Sequence, residues 1–279
     1  MRFEKMNSCF ALAFILTLCA PAPPAARLGE KFSQPETRPL LAMQETFAIQ
    51  ERAGDKTAKQ DEFKQLLDRL KSQSSAERRE AAEQLADSGD LRAVEPLIAA
   101  LKDADPDLRA SIANALGQLG DKRAIAPLTR LLSDEVSFVR AAAARVLGQL
   151  GDSGAVDALT GSLRDSNSTV RGAAAMGLAS LKDSRAVQPL ITAIRDEAPD
   201  VRSAAATALG DLRDKRAVAS LIQALKDEKM VKLAAAIALA DIGDKSAVPA
   251  LSEAIAGEKD EETRSQMKEA LQRLMAAPE

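Results

Sequence analysis

Apolar residues recur along most of this chain with the spacing of amphipathic helices. One kind of segment has the i, i+4, i+7, i+8, i+11 stripe that a helix buries on one face, as in Leu108, Ile112, Ala115, Leu116 and Leu119. A second, shorter kind buries Val94, Leu97, Ile98 and Leu101. The two kinds alternate along the chain, which predicts an all-α fold.

From residue 76 the segments repeat every 31 residues, apart from one step of 30. A hydrophobic–basic pair lies in the first helix of each unit at Leu108-Arg109, Val139-Arg140, Val170-Arg171, Val201-Arg202 and Val231-Lys232. An aspartate separates the two helices at Asp90, Asp121, Asp152, Asp183, Asp214 and Asp244, and another closes each unit at Asp103, Asp134, Asp165, Asp196 and Asp227. One helix pair cannot bury its own apolar stripe, so neighbouring pairs must stack.

We therefore predict a right-handed α-solenoid of about six stacked helix pairs over residues 60–275. Residues 60–72 match a second helix and residues 261–275 match a first helix, so each end is expected to be a half-unit cap, followed by a tail at 276–279. Gly120, Gly151 and Gly243 stand where a left-handed residue ends the first helix. Lys182 and Arg213 replace that glycine, and we expect those two helices to end differently.

One stretch identifies the repeat type. From Val139 to Leu159 the chain matches V-R-x-A-A-A-x-A-L-G-x-L-G-D-x-x-A-V-x-x-L, with Val146 in place of one alanine. This resembles the HEAT-like repeat named after phycobilisome lyases, and the resemblance extends over about residues 60–275. It implies a solenoid. It leaves the function open, because the family includes chromophore lyase subunits, iron hydroxylases, DNA-repair proteins and plain scaffolds.

The N-terminal residues have the pattern of a targeting signal. Arg2 and Lys5 precede a short apolar run, CFALAFILTLCA, and small residues follow, so residues 1–26 are predicted to be a signal peptide cleaved near Ala26. Both cysteines lie in this segment, and a lipid on Cys19 is the alternative to cleavage. Residues 27–59 are predicted to be a flexible tether. The expected location is the periplasm or the secreted space, with membrane attachment only through this segment.

Composition excludes several functions. The chain has no His, Trp or Tyr, which removes a His-based triad, a His metal site and most aromatic stacking platforms. Its formal net charge is −3, unlike the basic footprint of a nucleic-acid binder. We expect no catalytic residues, no metal, no cofactor and no nucleic-acid partner.

Basic and polar residues off the apolar stripe of the second helices are the candidate binding strip. One position carries Arg92, Arg123, Arg185 and Arg216, and another carries Lys102, Arg164, Arg195 and Lys226. Between them lie Arg130, Gln188, Thr192 and Gln223. Six units stacked at roughly 8–10 Å per layer would make a groove of about 50–60 Å, suited to an acidic segment of a partner. An ordinary solvated helix face is the alternative.

The arginines of the hydrophobic–basic pairs are assigned a structural role. Arg109, Arg140, Arg171 and Arg202 share the repeat's phase with the interhelix aspartates Asp121, Asp152, Asp183 and Asp214, so the two sets are predicted to pair. Phe138 stands where sister units have Asp or Thr. It would either anchor a partner or pack the first turn of its helix onto the preceding unit, and we favour the packing role.

These observations predict a non-catalytic protein–protein interaction scaffold. The main alternative is an accessory subunit of an enzyme, similar to a bilin lyase component, and export argues against it because bilin attachment is cytoplasmic in that family. Absence of His argues against the iron hydroxylases, whose metal sites use His-Glu pairs.

Overall fold

The computed structural model describes residues 58–277, which form fourteen α-helices joined by short connections. The even-numbered helices are long: α2 Ser75–Asp87, α4 Pro106–Leu119, α6 Ser137–Leu150, α8 Ser168–Leu181, α10 Pro199–Leu212, α12 Lys229–Ile242 and α14 Glu261–Ala276. The odd-numbered helices are shorter: α1 58–69, α3 Val94–Ala100, α5 Ile125–Leu131, α7 Val156–Ser162, α9 Val187–Ala193, α11 Val218–Ala224 and α13 Val248–Gly257. The predicted all-α solenoid is confirmed.

A three-residue 3₁₀ turn precedes each odd-numbered helix from α3 onward. In each turn the aspartate that the repeat places between helices is the N-cap, and its carboxylate accepts the backbone N–H two residues later, as Asp121 does from Arg123 at 2.9 Å. The cap satisfies a donor that the start of a helix leaves unpaired. The turn and the cap together explain why this aspartate recurs in every unit.

The long helices form one closely packed layer, in which each contacts the next along the array. A Cβ built on Gly148 would lie 2.4 Å from the Cα of Gly177, and one on Gly210 would lie 2.8 Å from the Cα of Ala238. Such distances leave no room for a side chain, so the backbones of α6 and α8, and of α10 and α12, are in direct contact. The repeated alanines and glycines of these helices permit that approach.

Each short helix packs against the long helix that follows it and touches the preceding long helix much less. The sequence analysis had paired each long helix with the short helix after it. The contacts favour the opposite division, with α1–α2 through α13–α14 as seven short–long pairs among the described residues. Helix α1 then belongs to a complete pair, since Leu66 and Leu70 enter the common core, and the expected half-unit caps are two whole units.

Two helix ends differ from the expectation. Gly120, Gly151 and Gly243 do end their helices in the left-handed conformation. Lys182 and Arg213 do the same, with φ of 51° and 52°, although they were expected to end their helices differently. The shared packing of the following turn imposes one geometry on every unit, and these two side chains accept a conformation that costs about 1 kcal/mol or more outside glycine.

The predicted signal peptide, the possible lipid site at Cys19 and most of the predicted tether lie outside the described residues. The tether was expected to extend to residue 59, but residues 58 and 59 are already helical. In the part of the chain that the structure describes, no helix is both long and apolar enough to cross a bilayer.

Candidate functional site

The structure divides the predicted basic strip into rows with different surroundings. Arg92, Arg123, Arg185 and Arg216 lie in the 3₁₀ turns, not on the short helices where the sequence analysis had placed them. Each guanidinium bonds the aspartate two residues earlier; for Arg216 and Asp214 the shortest N–O distance is 2.7 Å. The hydrogen bond from Arg216 lowers the pKa of Asp214, so the pair is ionised over the neutral range.

These turn arginines also join consecutive units. The Nη2 atoms of Arg123 and Arg185 donate to the carbonyls of Leu91 and Ser153 in the preceding turn, at 3.2 and 2.9 Å. Arg92, in the first turn, lies instead over the ring of Phe63, 4.5 Å from its centroid. The charge of this row is therefore largely balanced by contacts within the chain.

A second row of cations is free. Lys102, Arg164, Arg195 and Lys226 occupy the same position in their units, just after the end of a short helix, and their side chains are exposed. Lys71 lies one unit earlier in the same register, after α1. Within residues 58–277 no hydrogen bond or ion pair engages the side chains of these five residues. The sequence analysis missed Lys71 because it treated α1 as a cap and did not extend the register into it.

Four of these five cations, all except Lys226, lie at the rims of grooves between consecutive short helices. Arg164 and Arg195 border a groove of about 460 Å³ between α7 and α9, whose lining includes Leu163, Pro189 and Ala193. Gln188 and Thr192 line the same groove. The sequence shows a cation next to a leucine at the end of a short helix. It does not show that consecutive short helices are separated by a groove, so this site could not be predicted from the sequence alone.

Two further grooves repeat this arrangement nearer the N-terminus. One of about 310 Å³ lies between α3 and α5, with Lys102 and Arg130 at its edge. Another of about 720 Å³ lies between α1 and α3, with Lys71 and Lys102 at its edge. All three volumes fall within the range of roughly 300–1,000 Å³ that is common for ligand-binding pockets. Gln223 is exposed on α11 at the position of Thr192.

The arginines predicted to be structural form the most buried ion pairs. Arg171 is 8% exposed, and its Nε and Nη2 atoms donate to both carboxylate oxygens of Asp196 at 2.8 and 2.7 Å. Its Nη1 atom donates to the carbonyl of Asp165 at 2.9 Å. Arg109, Arg140 and Arg202 do the same with Asp134, Asp165 and Asp227. One guanidinium thus joins the loop before its own long helix to the equivalent loop one unit later.

The predicted pairing with Asp121, Asp152, Asp183 and Asp214 is therefore wrong, although the structural role stands. Three of those aspartates face the turn arginines, and Asp152 faces Lys122 at 3.3 Å. The ladder instead uses the aspartates that close each unit, 25 residues after each arginine. Both sets have the period of the repeat, so phase alone could not separate them.

Burial and charge act in opposite directions on these carboxylates. Burial raises the pKa of Asp196, but the hydrogen bonds from Arg171 and from the N–H of Ala198 outweigh it, and the net pKa is lowered. For Asp165 the hydrogen bond from Arg140 is the largest influence, and its pKa is lowered as well. These aspartates therefore remain ionised in the loops between units, and the paired arginines balance their charge.

Phe138 was expected to pack onto the preceding unit, and that expectation is wrong. It is 45% exposed, because it is the second residue of α6 and lies past the N-cap, Val136. The packing role needs a residue before the cap.

Across the described residues no three acidic side chains meet in an arrangement that could hold a metal ion. The surface therefore offers charge and shape for binding, through free cations over apolar grooves.

Comparison with known proteins agrees with this architecture. The chain is similar to a chain in the complex of CpcE and CpcF of phycocyanin lyase from Nostoc sp. PCC7120, at 26% identity and a TM-score of 0.50, over 77% of this chain and 88% of that one. It is similar in fold to a chain in the structure of Kap95p bound to RanGDP, at 13% identity and a TM-score of 0.62, over 83% of this chain and 37% of that one. No curated protein matches it.

A family model supplies the assignment. The model of HEAT repeats matches residues 63–147, 137–198 and 187–272, which together span all but the first and last few described residues. Because these matches also cover well over half of the whole chain, the protein belongs to the HEAT-repeat family.

Proposed function

We propose that this protein is a non-catalytic scaffold that binds an acidic segment of a partner protein along the row of free cations. The observation that carries the proposal is the contrast between rows. The turn arginines and the ladder arginines are paired with aspartates, whereas Lys71, Lys102, Arg164, Arg195 and Lys226 have no partner among residues 58–277. The first four of these cations also border grooves.

A purely structural role for this row is the competing explanation. Cations at helix C-termini interact favourably with the helix dipole, by about 0.3–1 kcal/mol each. The dipole does not explain why the row forms a line of exposed like charges, about 10 Å apart, on a protein whose net charge is −3. Because physiological salt largely screens repulsion at that separation, the row costs little and remains open to a negatively charged partner.

The comparisons support binding in general terms. The chain similar to this one at 26% identity belongs to a complex of two proteins, CpcE and CpcF. For the present chain we propose a partner in the cell envelope or the secreted space, reached through the signal peptide at residues 1–26 or held through a lipid at Cys19. N-terminal sequencing and intact mass of the purified chain distinguish cleavage near Ala26 from lipidation, and an intact Met1 refutes both.

The similarity to the phycocyanin lyase complex favours one alternative, an accessory subunit of an enzyme that modifies a chromophore protein. The two functions differ in ligand. A lyase subunit should co-purify with, or bind, a bilin that absorbs visible light, whereas the scaffold should retain a protein and no pigment.

The test is affinity capture by the tagged protein from native envelope and culture fractions, with two variants in parallel. Arg164→Glu, Arg195→Glu and Lys226→Glu together reverse the longest unbroken part of the row. The control variant makes the same charge change at three exposed lysines outside the row, namely Lys245, Lys259 and Lys268. We expect a partner retained by the wild type and the control and lost from the row variant. Equal retention by all three proteins refutes the proposed surface.

A further inference from the structure

The grooves and the free cations define a repeating pattern along the short helices. In each of the three grooves, the floor is formed by leucine, alanine or proline side chains, and cations from two consecutive units border it. Arg195 follows Arg164 by 31 residues, and Lys226 follows Arg195 by 31. A ligand lying across α7 and α9 therefore meets two cations one unit apart with an apolar groove between them.

The length of one unit sets the ligand's period. The long helices pack directly on one another, so consecutive units repeat at roughly the 8–10 Å spacing of packed helices. A polyproline II chain rises about 3.1 Å per residue and has three residues per turn, so every third side chain points the same way and recurs about every 9 Å. A β-strand, whose side chains alternate with period two, would turn every second acid away from the row.

Charges facing the grooves limit what can bind. Asp134 and Asp196 also line them, but they are bonded to the ladder arginines Arg109 and Arg171. Asp103 lines a groove as well and is bonded to Arg78, which occupies the ladder position one unit earlier. The unpaired charge at the rims is positive. Glu95 of α3 and Asp157 of α7 lie near the opposite ends of their helices, beside the turn arginines Arg123 and Arg185.

We propose that the ligand is an extended, polyproline-type segment with an acidic side chain at every third residue and small apolar residues between, one of which enters the groove between α7 and α9. This deepens the proposed function and rests on it. The site begins at Arg164, because Ser133 interrupts the row one unit earlier. Three carboxylates at i, i+3 and i+6 then face Arg164, Arg195 and Lys226, and an apolar residue between the first two carboxylates enters the groove lined by Leu163 and Ala193.

The probe is a pair of synthetic peptides of identical composition, made of Glu, Pro, Ala and one Leu. The first has Glu at i, i+3 and i+6, and the second has the three Glu adjacent. Fluorescence anisotropy of a labelled peptide measures binding to the full protein. We expect the first peptide to bind about tenfold more tightly, since only it places all three exposed pairs together, and binding to weaken as salt is raised.

A charge swap tests the register directly. Arg195→Glu should lose the advantage of the first peptide, and a peptide with Lys in place of the central Glu should restore it. Equal affinity for the two original peptides, absence of binding by the first, or failure of the swapped peptide to recover affinity overturns the inference. If the peptide experiments fail while the row variant still loses its captured partner, the scaffold function stands and only the ligand class is wrong. If the peptide experiments fail and the row variant keeps its partner, both proposals are refuted.

Discussion

Replacing Arg171 by lysine tests whether the ladder depends on the shape of the guanidinium or only on its charge. Arg171 donates two bonds to Asp196, at 2.8 and 2.7 Å, and one to the carbonyl of Asp165 at 2.9 Å. A lysine keeps the charge, but a single ammonium cannot bond both the loop before α8 and the loop after α9. The chain offers an internal reference, because Lys232 replaces arginine in a later unit and pairs with Glu258 at 2.5 Å.

The magnitude follows from the bonds lost. Hydrogen bonds to charged groups contribute about 1.5–3 kcal/mol each, and water recovers part of this because Asp196 is 12% exposed. We expect Arg171→Lys to lower the free energy of unfolding by about 2 kcal/mol. Arg171→Ala should cost about 3 kcal/mol, because it leaves a mostly buried carboxylate unpaired. Adding Asp196→Glu to Arg171→Lys should recover about 1 kcal/mol, since it recreates the pair formed by Lys232 and Glu258.

Urea denaturation followed by far-ultraviolet circular dichroism measures these changes, because the chain has no Trp or Tyr for intrinsic fluorescence. Hydrogen exchange of the two loops shows whether the loss is local, as a repeat array permits. The reasoning is refuted if both single variants remain within about 0.5 kcal/mol of the wild type, which is typical of a surface pair. It is also refuted if the longer carboxylate fails to recover stability beside the lysine.

Further predictions concern the ion pairs and the backbone. The hydrogen bond from Arg140 keeps the pKa of Asp165 below its usual value, so this ion pair stabilises the fold fully above the unfolded pKa of about 4 and less as pH falls below it. Urea midpoints should be flat from about pH 7 to 5 and fall below about pH 4. A flat profile down to about pH 2 contradicts this. Lys182→Gly should raise the unfolding free energy by about 1 kcal/mol by relieving a positive φ, and no change in the urea midpoint counts against it. Gly148→Ala should lower the free energy of unfolding by about 3 kcal/mol or more, since the added Cβ meets backbone. Gly161→Ala has open space around it and should raise the free energy of unfolding by about 1 kcal/mol and slow hydrogen exchange over residues 153–164. Similar effects of the two substitutions would disprove this account.

The fold was predictable because each buried position recurs in every unit. The period of 31 residues located the helices, and the glycines located three of their ends. Lys182 and Arg213 misled because the sequence shows the cost of a left-handed lysine or arginine, but not the packing that outweighs it. A regular repeat thus fixes which positions are equivalent more securely than it fixes their conformation.

The site was harder to predict from the sequence, because two residues at equivalent positions of the repeat can contact different partners. Arg123 and Arg164 belong to basic sets with the same period, yet only the structure shows that Arg123 bonds Asp121 while Arg164 has no partner among the described residues. The partner of Arg171 lies 25 residues away, at the end of the unit, and a second aspartate series in the same phase concealed it. Helix direction and loop geometry, which separate the two series, are tertiary properties.

The two layers of the array differ in how freely they deform. Backbone contact between α6 and α8 fixes the spacing of the long helices, while consecutive short helices are separated by grooves and held mainly by their own long helices. Any bending of the array must therefore pivot on the long-helix layer and change the width of the grooves. A ligand whose residue spacing differs slightly from that of the units would then bend the array on binding, so the distance between the ends of the solenoid becomes a mechanical reporter of occupancy.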